Sequence, residues 1–472
     1  MYRLLFIILF AVSVCLTGCG SSEDEVADVS TTIEQSDTEE QADHITTEEK
    51  GNESAKEDTV SADGTTSDIT ASDETTKGQT AESTTEKTTA KETTKEQTTK
   101  QQTTKEQTTK QQTTKEQTTK QQATAQTTKE EETTASMTAE QRARKILDSM
   151  TLEEKVGQMF IARCPESNAK QLADEYHLGG YILFARDFKD KTKEQVINTI
   201  SGYQQVSEIP MFIGVDEEGG KVNRVSLYAQ FRSEPFKSPQ QLFLEGGLDL
   251  IKSDAREKSR LLKSLGINVN FAPVADVSTD SGDFIYARTF GKDAASTAEY
   301  VKSVVSVMNQ ENMGSVLKHF PGYGNNEDTH TGIAYDNRSY DSFVKSDFVP
   351  FEAGIDAGAD MVMVAHNIVY CMDSEYPASL SAKVHKVLRE ELGFTGVIIT
   401  DELSMAGVQD FAEDDEIAVL AVKAGNDLLC CTNFEEQIDA VIAAVKNGSI
   451  SEERINESVL RILKLKISLG IL

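Results

Sequence analysis

The sequence predicts an α/β fold, a (β/α)8 TIM barrel, over residues 138–472, preceded by an apolar leader and a long stalk rich in Thr, Lys, Glu and Gln. Three observations carry this reading. Every aromatic residue except Tyr2, Phe6 and Phe10 lies beyond residue 137, so only that part of the chain can build a core. Within it, short apolar runs rich in β-formers alternate with amphipathic stretches of about 10 to 18 residues. Several runs end on an ionisable residue, as barrel strands do at the end that carries chemistry.

Taken in order, the chain opens with Arg3 and an apolar run from Leu4 to Leu16, too short to span a bilayer and suited to the apolar region of a secretory signal. Leu16-Thr17-Gly18-Cys19 resembles the lipobox of bacterial lipoproteins, which implies cleavage before Cys19 and lipidation of its thiol. A secretory peptide with an incidental cysteine is the other reading. The acidic, coreless segment that follows at once favours the anchor. The expectation is therefore a lipoprotein signal peptide at 1–18 and an extracytoplasmic protein held at the cell membrane through Cys19.

Residues 20–137 contain no Phe, Tyr, Trp, Pro or Cys, and 27 acidic against 12 basic side chains. So few apolar groups cannot offset about 1–2 kcal/mol of backbone ordering entropy per residue, and 19–137 is expected to be disordered. Between Thr93 and Gln122 the unit TTKEQTTKQQ occurs three times with no apolar face to bury, which makes a stalk and not a solenoid. A flexible coil of this length has an r.m.s. reach of about 60 Å and extends to roughly 390 Å, enough to enter a cell wall. The remaining 335 residues carry 51 acids and 34 bases, which argues against nucleic acid as a partner and favours small-molecule chemistry.

The eight runs are Gln158–Ala162, Gly180–Phe184, Met211–Val215, Ile267–Ala272, Ser315–Phe320, Met361–Ala365, Val397–Thr400 and Asp427–Cys431. Between them, Thr192–Val206, Ala294–Asn309 and Phe434–Lys446 place apolar residues at helical spacing. A doubly wound open sheet is the competitor, but it generally has fewer strands and a Gly-rich phosphate turn after the first, absent here. Cys15 leaves with the leader. None of Cys164, Cys371, Cys430 and Cys431 has metal-ligand spacing, and the last two read as apolar strand residues.

Asp216 follows the third run, Lys318 and His319 close the fifth, His366 follows the sixth and Asp401 the seventh. Any one of these fits a capping or ion-paired residue; four strands ending this way point to a site on one rim. After the fifth run, KHFPGYGNNEDTHTG (Lys318–Gly332) reads as a mobile loop carrying Asp328 and His330. A carboxylate can orient one imidazole nitrogen and leave the other free to exchange a proton near neutral pH, although a D-x-H alone also reads as a solvated loop histidine. Asp401 is a carboxylate at a rigid strand terminus, where a substrate carbon could meet it. Opposed to a proton shuttle, it suggests glycosyl transfer through a covalent intermediate.

KHFPGYG with Asp328 and His330, ITDELSM (Ile399–Met405), VDEEGGKVNR (Val215–Arg224), and FAPVADV (Phe271–Val277) followed by ARTFG together resemble glycoside hydrolase family 3, in its β-N-acetylhexosaminidase branch. The resemblance covers about 138–470. It implies Asp401 as nucleophile, His330 with Asp328 as acid/base dyad, and Asp216, Arg224, Arg288, Lys318 and His319 as residues holding the sugar. Tyr323 stands where many relatives have His. The chain ends at Leu472, one helix after the eighth run, so the proton donor is expected from the barrel and not from a following domain. Tyr181, Phe184, Phe320 and Tyr323 are the rings considered for stacking on a pyranose. No cofactor or metal is expected, since His319, His330 and His366 lie on separate segments.

The expected function is a retaining exo-β-N-acetylglucosaminidase acting on GlcNAc-containing cell-wall fragments. The alternatives are a β-glucosidase or a phosphorylase on the same fold, since a neutral His repels phosphate less than a carboxylate does, or a lipid-tethered sugar-binding protein.

Overall fold

The computed structural model describes residues 137–472, apart from Asp410 and Glu413 and the side chains of Asp414 and Asp415. The expected signal segment 1–18, the expected anchor Cys19 and nearly all of the expected stalk 19–137 lie outside the described residues.

Among the described residues there are ten strands: β1 (Phe160–Arg163), β2 (Gly180–Leu183), β3 (Phe212–Val215), β4 (Val269–Asn270), β5 (Gly314–Phe320), β6 (Tyr335–Asp336), β7 (Met361–Val364), β8 (Ile368–Val369), β9 (Val397–Thr400) and β10 (Leu429–Cys431). Eight form one parallel sheet in the order β10-β1-β2-β3-β4-β5-β7-β9. A parallel bridge between Ile399 and Leu428 joins its two edges and closes the barrel. The runs are Val-, Ile- and Phe-rich because a parallel strand in a barrel is covered by side chains within and by helices without, and they are buried accordingly. β6 and β8 pair in a separate parallel ribbon that the run pattern does not foreshadow.

Boundaries shift by a few residues from the expectation. Gln158 ends the helix Leu152–Gln158 instead of opening a strand, and the first strand reaches Arg163. The fourth run is assigned as a strand only over Val269–Asn270: the Phe271 amide and the Ala272 carbonyl still bond to Val215 and Val316, Pro273 has no amide to give, and a bridge joins Val274 to Lys318. Helices Lys193–Val206, Ala294–Gln310 and Phe434–Lys446 lie where their spacing put them. Helix starts have a local cause: Thr138 with Gln141, Thr151 with Glu154, Thr192 with Gln195 and Ser238 with Gln241 each form a reciprocal capping box. Cys164, Cys371 and Cys430 are free thiols.

Candidate functional site

The C-terminal strand ends gather most of the residues singled out in the sequence. Lys318, near the end of β5, donates to Asp216 just beyond β3 and to Glu218, both at 2.7 Å. Arg288 grips the same Glu218 with two bonds, Nε to Oε2 at 3.1 Å and Nη2 to Oε1 at 2.8 Å. Burial alone would raise the Glu218 carboxyl, but Arg288 and Lys318 hold it well below the usual range. Burial likewise opposes the charge of Lys318, and Asp216 and Glu218 raise its pKa. His319 donates Nδ1–H to Asp276 Oδ2 at 2.7 Å, and Arg288 Nη2 approaches its Nε2 at 3.3 Å. Asp276 also accepts the His319 and Tyr323 amides, so one buried carboxylate sets the ring and the start of the next loop.

Asp401 follows β9. Burial pushes its carboxyl up, but His319, His366, His330 and the Glu402 amide outweigh burial and hold it below the usual range, so it stands ionised. The Glu402 amide donates to Oδ1 at 2.9 Å. His366 is buried, and that burial lowers its pKa. Its Nε2–H donates to the Glu402 carbonyl at 2.9 Å, leaving Nδ1 to accept the Ser379 hydroxyl at 2.7 Å. These bonds tie the ring to the backbone next to Asp401. Glu402 itself is pushed up by burial.

Asp328 and His330 sit on the 321–334 loop, where Oδ1 of Asp328 meets Nδ1 of His330 at 2.6 Å and accepts the His330 amide at 3.0 Å. Burial would raise Asp328, and its bonds to His330 bring it below the usual range. The loop is held at two places. Arg338, paired with Asp336 and Asp347, donates to the Gly322 carbonyl at 2.9 Å at its base. At its tip the Gly407 amide donates to Thr329 O at 2.9 Å, and Tyr323 Oη lies 2.5 Å from Thr329 Oγ1. A Cβ at Gly407 would stand 2.9 Å from Thr329 O and 3.1 Å from Gly332 O, so only glycine lets the Asp401 segment and the dyad loop approach this closely.

Arg224 does not join the Lys318 cluster. Its guanidinium lies 5.7 Å from the Phe184 ring, with Arg163 at 4.7 Å from the same ring. Arg163 pairs in register with Ile182, while the neighbouring pair Ala162 and Tyr181 faces the other way, Tyr181 reaching outward to Ala169 O and Tyr203; alternation therefore turns Arg163 into the barrel mouth. Nε of both arginines is buried without a hydrogen-bond partner.

Three residues escaped the sequence reading: Glu218, Asp276 and Arg163. Glu218 and Asp276 lie inside the quoted VDEEGGKVNR and FAPVADV motifs, which was the available signal. Glu217, between Asp216 and Glu218, is spent within its own loop: its carboxylate accepts the Arg224, Val225 and Ser226 amides and the Ser226 hydroxyl. The stacking rings need correction too, because Tyr181, Phe320 and Tyr323 are buried and offer no free face.

Residues 151–465 match the family described as the Glycosyl hydrolase family 3 N terminal domain. Over 242 residues the chain is 36% identical to a β-hexosaminidase of Xanthomonas campestris pv. campestris, covering 48% of this chain and 69% of that protein. A glycoside hydrolase family 3 β-N-acetylglucosaminidase from a Paenibacillus species superposes with TM-score 0.64 at 33% identity, covering 68% of this chain and 63% of that one. A β-N-acetylhexosaminidase from Beutenbergia cavernae superposes with TM-score 0.60 at 25% identity, over 68% of this chain and 99% of that one.

Proposed function

The chain belongs to glycosyl hydrolase family 3, and from that premise we propose that it is a retaining exo-β-N-acetylglucosaminidase that removes terminal β-linked GlcNAc from cell-wall-derived glycans. The observation that carries the reading is the joining of two unlike parts. The ionised Asp401 carboxylate ends a buried strand, and the Asp328–His330 pair is docked on the Asp401 segment through Gly407 and Thr329. The names of the relatives support the sugar.

In this mechanism Asp216, Lys318, Arg288 and His319 hold the hydroxyl groups of the sugar, and Arg224 borders it. An Asp401 oxygen attacks the anomeric carbon as the glycosidic bond breaks, and Nε2–H of His330 protonates the departing oxygen. Water then attacks the glycosyl-enzyme, His330 takes its proton, and Asp401 leaves as a carboxylate. Asp328 keeps Nδ1 engaged and the ring oriented throughout. The signal at 1–18, the lipobox Cys19 and the coreless segment 19–137 support a protein anchored outside the cytoplasm, its barrel carried into the wall.

The test is to give the full chain chromogenic β-GlcNAc, β-glucose and β-xylose, with and without phosphate, and to follow the first anomer released by NMR. Fastest turnover of β-GlcNAc, release of the β-anomer and indifference to phosphate are expected. A first-formed α-anomer would overturn retention. A phosphate-dependent sugar 1-phosphate would make the protein a phosphorylase.

A further inference from the structure

Of the four rings marked in the sequence, three are used up by packing and the fourth faces two arginines; a further ring, Phe284, was not marked and is partly exposed. Tyr181 and Phe320 are fully buried, Tyr323 is 2% exposed, and the partly buried Phe184 has the guanidiniums of Arg163 and Arg224 at 4.7 and 5.7 Å from its ring centre. Phe284, on the loop between β4 and the helix Ala294–Gln310, is 40% exposed.

Its place is fixed from both sides. The next residue, Ile285, is buried in a small apolar cluster with Tyr323 and Ala365. The Phe284 ring meets Tyr323 edge-on, with centroids 5.9 Å apart at 65°. Tyr323 in turn lies edge-on to His319 at 5.1 Å and is near enough to Asp401 to feel its charge. Four residues further along, Arg288 reaches into the Glu218 and His319 cluster. The exposed ring therefore stands one side chain away from the groups that hold the sugar. The loop presenting it is built and not loose: the Ser278 hydroxyl donates to Asp283 at 2.7 Å, the Gly282 amide to Asp280 at 2.9 Å and the Arg288 amide to the Ile285 carbonyl at 2.9 Å.

A single exposed apolar side chain on an open surface asks for no explanation. At the mouth of a sugar site it has one. The hydroxyl groups of a pyranose lie around its rim, whereas the faces present C–H groups, and the negative face of an aromatic ring attracts them while both surfaces leave water. We propose, resting on the glycosidase reading above, that Phe284 is the platform for the sugar on the leaving-group side of the bond. It would select glycans whose released part is a pyranose over alkyl or peptidic leaving groups. Phe284 touches no reacting atom in this role. It sets which leaving group is presented to His330.

Two substrates separate this from a structural role: β-GlcNAc fluoride, whose leaving group has no ring, and the β-1,4-linked GlcNAc disaccharide. With the full chain, Phe284→Ala and Phe284→Leu should each lower the ratio of kcat/KM on the disaccharide to kcat/KM on the fluoride by about 5- to 30-fold, while Phe284→Tyr keeps it within about threefold. The share of glycosyl-enzyme passed to added GlcNAc in place of water should fall in the same two variants. An unchanged ratio in Phe284→Ala would overturn the proposal. So would full retention in Phe284→Leu, which would mean that apolar area suffices without a ring. Equal losses on both substrates would show that the ring merely braces Tyr323. Inactivity of the unaltered chain on both substrates would overturn the glycosidase reading itself, and this proposal with it.

Discussion

The strand-end cluster and the dyad loop solve opposite problems with the same residue types. In the cluster, Lys318 and Glu218 are each 3% exposed and every charge has a partner at hydrogen-bond distance. In the loop, His330 is 39% and Asp328 27% exposed. A group that holds a sugar in a set orientation gains from being fixed before the sugar arrives, and burial between strand ends fixes it. A group that must give a proton and later take one from water needs access to solvent, which a loop supplies. On the proposed mechanism, stability and proton transfer are carried by separate residues and can be broken separately.

The largest effect is expected where the two parts meet. Asp401→Ala should abolish turnover for every leaving group, because both steps pass through that carboxylate; measurable hydrolysis of a nitrophenyl glycoside by the variant would remove Asp401 from its role. His330→Ala comes next. General acid–base catalysis is worth about 10²–10⁴-fold, so its loss on a disaccharide should fall in that range. A nitrophenolate hardly needs a proton, so glycosylation from it should persist, and azide should speed release of the accumulated intermediate as a β-glycosyl azide. Asp328→Ala should show a smaller deficit of the same kind. Near wild-type cleavage of a disaccharide by His330→Ala would move attention to Glu402, which is buried at the same rim and pushed toward its protonated form.

The cluster predicts the opposite pattern. Glu218→Gln leaves Lys318 and Arg288 without a shared counter-charge, and breaking a buried pair costs about 3–5 kcal/mol, read as a lower midpoint in denaturant. His330→Ala, on an exposed loop, should move stability by no more than about 0.5 kcal/mol. The sign with pH follows from the same carboxylate. The folded state holds the Glu218 pKa below its unfolded value, so its contribution is present above the ordinary carboxylate range and is lost as pH falls toward the folded value. The gap between Glu218→Gln and the unaltered protein should therefore be widest near neutral pH and close in acid. A constant gap would mean that the loss is one of packing. Smallest is Gly407→Ala, whose methyl meets the Thr329 and Gly332 carbonyls. It should displace the dyad loop and reduce kcat on a disaccharide about tenfold while the melting temperature stays within a few degrees. Unchanged kcat would show that the docking contact is dispensable.

Much of this was legible in the amino-acid order. Strand and helix periods are local, and so are the four capping boxes, which is why the barrel and the helices Lys193–Val206 and Phe434–Lys446 could be read with small boundary errors. Asp216, Lys318, His319 and Asp401 stood out because a charged residue at the end of an apolar run is a local anomaly. So did Asp328 and His330, two positions apart.

What the tertiary structure alone decided is which charges meet and which rings are covered. Three acids in succession, Asp216, Glu217 and Glu218, look alike in sequence. Folding gives the first and third to Lys318 and spends the second on amides of its own loop. Four rings looked equally fit to face a sugar; packing buried Tyr181, Phe320 and Tyr323 and left Phe184 beside two arginines, while Phe284, which no local pattern marked, came out 40% exposed. Arg163 turned inward only because β1 extends one residue past its apolar run. Polarity and period belong to a residue and its near neighbours, so the sequence carries them. Burial and pairing depend on segments that barrel closure brings together from far along the chain, and no local pattern records which of them will touch.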